Sequence, residues 1–212
     1  MESTQKTYLY DILEGVLLFI GLPLMFYWQL IPLPKILALV SVAVYCGFRL
    51  WRDRSFKVDL FIRDDLHDIS KTILIRVLLV AILLTGLVWV VYPGQLFAFP
   101  FERPFWWMVV MVLYPLLSAL PQEFIFRTYF FHRFEQKLPL KHLTVVLSAL
   151  AFAFLHIIYD NWWAIALSFI GGLFMGRTYQ KTRSLYWVTL EHAIYGCLVF
   201  TTGMGSFFYE AM

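Results

Sequence analysis

Charge is what this sequence has least of. Asp, Glu, Lys and Arg make up 15% of its 212 residues, against about 25% in an ordinary soluble domain. The net charge of +3 is small. It leaves no basic footprint for nucleic acid, which is excluded as a partner. Cysteine is scarce too. Cys46 and Cys197 sit in apolar surroundings with no CxxC spacing, which excludes a disulfide framework and a Cys-based metal site. They read as small buried hydrophobes. There is no HExxH helix motif and no Gly-x-Ser-x-Gly elbow, so the soluble zinc-protease and serine-hydrolase signatures are absent. No internal repeat and no low-complexity stretch is present.

What fills the chain is apolar: 61% hydrophobic and 19% aromatic. That composition predicts an all-α, polytopic transmembrane helical bundle of about seven spans, each needing roughly 20 residues. One membrane domain is expected over 1–212. In it, 1–104 are accessory spans with a cytoplasmic amphipathic loop, and 105–202 form the core.

The spans are predicted in order. The first runs from Leu13 to Leu30 around Pro23 and reads as a retained anchor, lacking a small-residue cleavage pattern. The second covers Ile36 to Trp51. The mixed-charge stretch from Arg52 to Lys71 has an amphipathic centre (Val58, Leu60, Phe61, Leu66) and is expected at the interface. The third span covers Thr72 to Tyr92 and ends at Pro93-Gly94. The apolar run from Phe105 to Phe134 is too long for one straight span and is expected to break at Pro121. Spans at 143–159, 162–177 and 185–202 complete the bundle.

Lys and Arg set the orientation. Loops 52–71, 128–142 and 177–183 carry five, three and three of them; loops 93–104 and 159–161 carry one and none. The basic loops are therefore expected in the cytoplasm, with the N-terminus inside. The plasma membrane of a bacterium is the expected location, with membrane lipids around the chain.

Polar residues at bilayer depth are costly, so those that persist mark function or tight pairing. Glu123 and Arg127 share a helix face and can bond. His156 and His192 lie in apolar segments far downstream. The plainer readings are a structural ion pair for Glu123 and Arg127 and interhelical hydrogen bonds for the histidines. For Glu191 the plainer reading is a helix-end polar residue, and for Arg76 a side chain that snorkels to the cytoplasmic surface. The Gly172-xxx-Gly176 spacing reads as close helix packing. An acid with two imidazoles inside a membrane can activate water and stabilise an oxyanion. Two His and one Glu also form an open zinc set, so a divalent metal such as zinc on Glu123, His156 and His192 is the one cofactor considered.

Three stretches together resemble a known family. Gln122-Glu123-xxx-Arg127, Phe152-xxx-His156 and the late His192 are similar to the motifs of the CPBP family. These are the CAAX proteases and bacteriocin-processing enzymes, also called Abi-type. The resemblance covers about residues 105–202. It implies a helical membrane fold with a polar cavity, and an endopeptidase acting on membrane-associated peptides or proteins. It also implies catalytic roles for Glu123, His156 and His192. Glu would activate water together with His156, and His192 would help hold the oxyanion. Gln122, Arg127, Phe152 and Gly196 would be supporting positions. The chain departs from the pattern twice. Gln122 stands where the family has a first Glu, and Gly196 stands where the family has Asn or Asp four residues after its His. The alternatives are an inactive family member acting as an immunity or scaffold protein, and a small transporter.

Overall fold

Apolar side chains that find no water outside must be arranged as helices, whose backbone groups bond within the segment. The structure, a computed structural model, describes residues 2–56 and 66–208, with side chains described for 9–56 and 68–208. The described residues form helices and turns, with no strand among them. Helix α1 (Glu2–Val16) continues through a π turn at Leu17–Gly21 into Leu22–Tyr27. Helices α2 (Lys35–Trp51) and α3 (Leu66–Val91) follow. Helix α4 starts as Pro104–Tyr114 and runs on through Pro115–Ala119, Leu120–Glu123, Phe124–Tyr129 and Phe130–Phe134. Helix α5 (Lys141–Leu155) tightens into a 3₁₀ turn at His156–Tyr159. Helices α6 (Trp162–Thr182) and α7 (Leu185–Thr202) complete the set.

Among the described residues, four helical runs are long and apolar enough to cross a membrane: Leu9–Tyr27, Asp68–Val91, Pro104–Lys137 and Lys141–Tyr159. Their outer faces carry large exposed hydrophobics, such as Ile82, Leu83 and Val90 on α3. In water that surface would be a liability; against lipid it is solvated. The chain is an integral membrane protein.

Two local expectations change. The run from Phe105 to Phe134 is not interrupted at Pro121. The helix passes through, with π turns at Pro115–Ala119 and Phe124–Tyr129 on either side. Proline lacks the N–H that an α turn would use, and wide turns around it let the chain continue. The stretch 66–71, expected as interfacial loop, is the first part of α3. The predicted amphipathic centre at Val58, Leu60 and Phe61 lies outside the described residues.

The tightest helix contact is between α5 and α6. A Cβ on Gly172 would sit 3.1 Å from the Ala149 Cα, and one on Gly176 would sit 3.0 Å from the Val145 side chain. The two glycines thus give the close approach that their spacing predicts. Asn161 caps α6 by accepting from the Trp163 and Ala164 N–H groups.

The basic end of α4 is tied to α1 and α2. Arg133 bonds Asp11 and, at 3.1 Å, Glu14; Lys137 reaches Asp11 at 2.6 Å. Glu14 also takes Arg49 and the Tyr45 hydroxyl. Asp11 and Glu14 are buried, and these cations are what makes that tolerable. In the loop beyond α2, hydrogen bonds from the Ser55 hydroxyl, and then from His132, hold the Asp53 carboxyl well below the usual carboxylate range.

Candidate active site

Arg127 is fully buried, where a guanidinium needs a counter-charge and hydrogen-bond acceptors close by. Its Nε lies 3.2 Å from Glu123 Oε2, one helical turn earlier. Nη1 donates to the Ser148 hydroxyl at 2.7 Å on α5, and Nη2 donates to the Gly172 carbonyl at 3.4 Å on α6. The guanidinium also stacks over the Phe152 ring, 5.3 Å from its centroid. One side chain therefore joins α4, α5 and α6 at the bundle centre. Arg127 is placed there by the Phe124–Tyr129 π turn.

Glu123 has no exposed surface. One oxygen faces Arg127; the other accepts from His192 Nδ1 at 2.8 Å. This fixes the histidine tautomer, since a carboxylate only accepts. His192 Nε2 then points at the Tyr114 hydroxyl, 2.9 Å away.

His156 sits at the junction between α5 and its 3₁₀ turn. Its Nδ1–H donates to the Phe152 carbonyl at 2.8 Å, leaving Nε2 as the lone-pair nitrogen. Phe152 is the spacer of the site. Its ring packs edge-on against both imidazoles, with centroids 4.8 Å from His156 and 5.4 Å from His192. A phenylalanine one turn before His156 thus holds the two rings apart.

Both histidines line a cavity of about 140 Å³ between α4, α5, α6 and α7, with Tyr114, Ser118, Gln122, Tyr159 and Gly196. That is room for several waters. Gln122 faces this cavity, and Glu123 is not on its lining. The difference follows from the roughly 100° step between adjacent helical residues. Gln122 Nε2 donates to the Ser118 hydroxyl at 2.7 Å, while its Oε1 is buried without a partner. Ser118, Gln122 and Tyr159 also line a second, apolar pocket against α1 and α2, with Lys35 at its edge. The polar cavity and the apolar pocket therefore share a wall.

The structure brings Glu123, Arg127 and His192 into direct contact. It places His156 across Phe152 from His192, with no contact between His156 and Glu123. Both Glu123 oxygens are engaged by Arg127 and His192. Among the described residues, no three His, Cys, Asp or Glu side chains stand where they could share a metal ion. The donor set as placed does not fit zinc.

A second buried ion pair escaped sequence reasoning. Arg76 on α3 does not snorkel; it donates to Glu191 at 3.0 Å, to Thr178 at 3.0 Å and to the Phe174 carbonyl at 3.2 Å. Glu191 is fully buried on α7 and also accepts from Tyr195 at 2.8 Å. It is no helix-end residue. The signal was available: a lone Arg and a lone Glu, each inside a predicted apolar segment.

A helical bundle in lipid, with a polar cavity between two histidines and a buried Glu–Arg pair behind it, is a membrane protein built to hold a polar group. Residues 104–198 match the family model described as type II CAAX prenyl endopeptidase Rce1-like. Over that segment, just under half its length, the chain is similar to the CAAX-protease family that its motifs resemble. Neither a curated protein nor a solved structure matches the chain.

Proposed function

We propose that the chain is an intramembrane endopeptidase that hydrolyses membrane-associated peptides or proteins without a metal. The family match supports the class, and the state of the two imidazoles carries the mechanism. His156 Nε2 is the base: the Phe152 carbonyl holds the opposite nitrogen protonated. It takes a proton from water as the oxygen attacks the peptide carbonyl, and returns it to the departing amine. His192 is the electrophile. Glu123 on Nδ1 orients the ring, and the Nε2 side polarises the developing oxyanion. Glu123 acts through His192, and Arg127 holds Glu123 in place. The apolar pocket beside Gln122 receives an apolar part of the substrate while the scissile bond lies in the polar cavity.

One observation favours a second reading. The cavity lining has no carboxylate, and the amide of Gln122 faces it instead. A neutral amide cannot accept a proton from water at useful pKa. On that reading the chain binds membrane peptides without cutting them, as an immunity or scaffold protein would. A single substitution separates the two. If His156 is the base, Gln122→Glu should change cleavage of a membrane-reconstituted reporter peptide by less than about tenfold. A wild type with no cleavage, converted by Gln122→Glu into a robust enzyme, would establish the binding reading.

The orientation is part of the proposal: about seven spans, a cytoplasmic N-terminus and the basic loops inside. Single cysteines placed at 138 and 100 should be labelled from opposite sides of sealed vesicles. Labelling of both from one side would remove the seven-span arrangement.

A further inference from the structure

Gly196 leaves a space in the cavity wall one helical turn beyond His192, and Tyr114 occupies it. A Cβ built on Gly196 would lie 2.1 Å from Tyr114 Cε1 and 2.3 Å from its Cζ and hydroxyl oxygen. No side chain larger than hydrogen fits at 196 while this phenol is in place. The ring is held edge-on between His192 and Phe200, with centroids 5.9 and 5.4 Å away. Its hydroxyl lies 2.9 Å from His192 Nε2, and the residue is on the cavity lining. Its backbone sits at the start of the Pro115–Ala119 π turn, where the widened helix meets α7.

We propose that Tyr114 is the second oxyanion donor of the site, reaching from α4 into the space that Gly196 leaves on α7. This rests on the peptidase reading above. A phenol both accepts and donates. When His192 carries a proton on Nε2, that N–H donates to the Tyr114 oxygen. The phenol hydrogen then turns toward the carbonyl oxygen of the peptide under attack. No bond to Tyr114 forms or breaks; it supplies a directed dipole beside the His192 ring. Gly196 and Tyr114 are thus one device: the glycine makes the space and the tyrosine brings the hydroxyl.

Tyr114→Phe keeps the ring and deletes only the hydroxyl. On a reporter peptide in proteoliposomes it should lower kcat by about a hundred- to a thousandfold with KM nearly unchanged. Binding of a peptide phosphonamidate, whose anionic oxygen imitates the tetrahedral intermediate, should weaken by a similar factor. Binding of the parent peptide amide should not change. Tyr114→Ala combined with Gly196→Asn removes the ring and places an amide donor in the space, and should recover phosphonamidate affinity relative to Tyr114→Ala alone. A Tyr114→Phe protein with wild-type kcat and wild-type phosphonamidate affinity overturns the proposal. So does one that loses affinity for phosphonamidate and amide equally, which marks a packing role. A wild type that binds phosphonamidate but never cleaves refutes the peptidase reading, and the binding comparison alone then decides Tyr114. A wild type that binds neither refutes both.

Discussion

Glu123→Gln should abolish cleavage and also destabilise the protein, two losses with one origin. The substitution keeps shape and removes charge. Arg127 is then a fully buried cation whose remaining hydrogen bonds run to neutral acceptors: the Ser148 hydroxyl and the carbonyls of Phe126 and Gly172. Breaking a buried pair by neutralising one member costs about 3–5 kcal/mol, because the other charge stays desolvated. The unfolding midpoint in detergent should fall accordingly. Cleavage should fall by about a hundredfold or more, since the His192 ring loses the carboxylate that orients it. The double variant Glu123→Gln with Arg127→Met separates the effects. It should regain much of the stability, because no charge is left buried at that position, and none of the activity. An active double variant would reduce Glu123 to a structural partner of Arg127.

His156→Ala is the complementary case, with a large effect on chemistry and a small one on the fold. Its Nδ1–H bonds the carbonyl of Phe152, one turn away on its own helix, and its ring borders the cavity. Losing the base should lower kcat by about a hundred- to ten-thousandfold. The unfolding midpoint should move little, since water can enter the vacated space. Cleavage within tenfold of wild type would remove His156 from the mechanism.

The sequence showed the parts of this site that depend on one helix. Glu123 and Arg127 are a turn apart, and any α-helix brings them together. The turn from Phe152 to His156 is equally local. The meeting of Glu123 with His192 came only from resemblance, because depth estimates placed these residues in different spans without fixing the tilt. Pro121 suggested an interruption, whereas the backbone carries two π turns, whose wider hydrogen-bond pattern no residue type announces. Tyr114 was invisible for a different reason. Its position depends on what Gly196 lacks, and an absent side chain gives no sign of which distant ring will fill its place. The anchoring of α1 by Arg133 and Lys137 was also missed, because Asp11 lies just before the first predicted span and Glu14 is its second residue, where charge reads as solvated.

The two buried ion pairs differ in where their members lie along the chain, and this matters while the protein is being made. Glu123 and Arg127 are carried by one helix. As α4 enters the bilayer the pair neutralises itself, and no later segment is needed to offset its charge. Arg76 and Glu191 are 115 residues apart on α3 and α7. When α3 leaves the ribosome its arginine has no carboxylate to meet, and an arginine within a span costs up to roughly 2.5–3.5 kcal/mol on insertion scales, most at the span's centre. Until α7 arrives, α3 stays shallow or leans its guanidinium toward the headgroups. Synthesis of the last long helix therefore supplies the carboxylate that seats the third one.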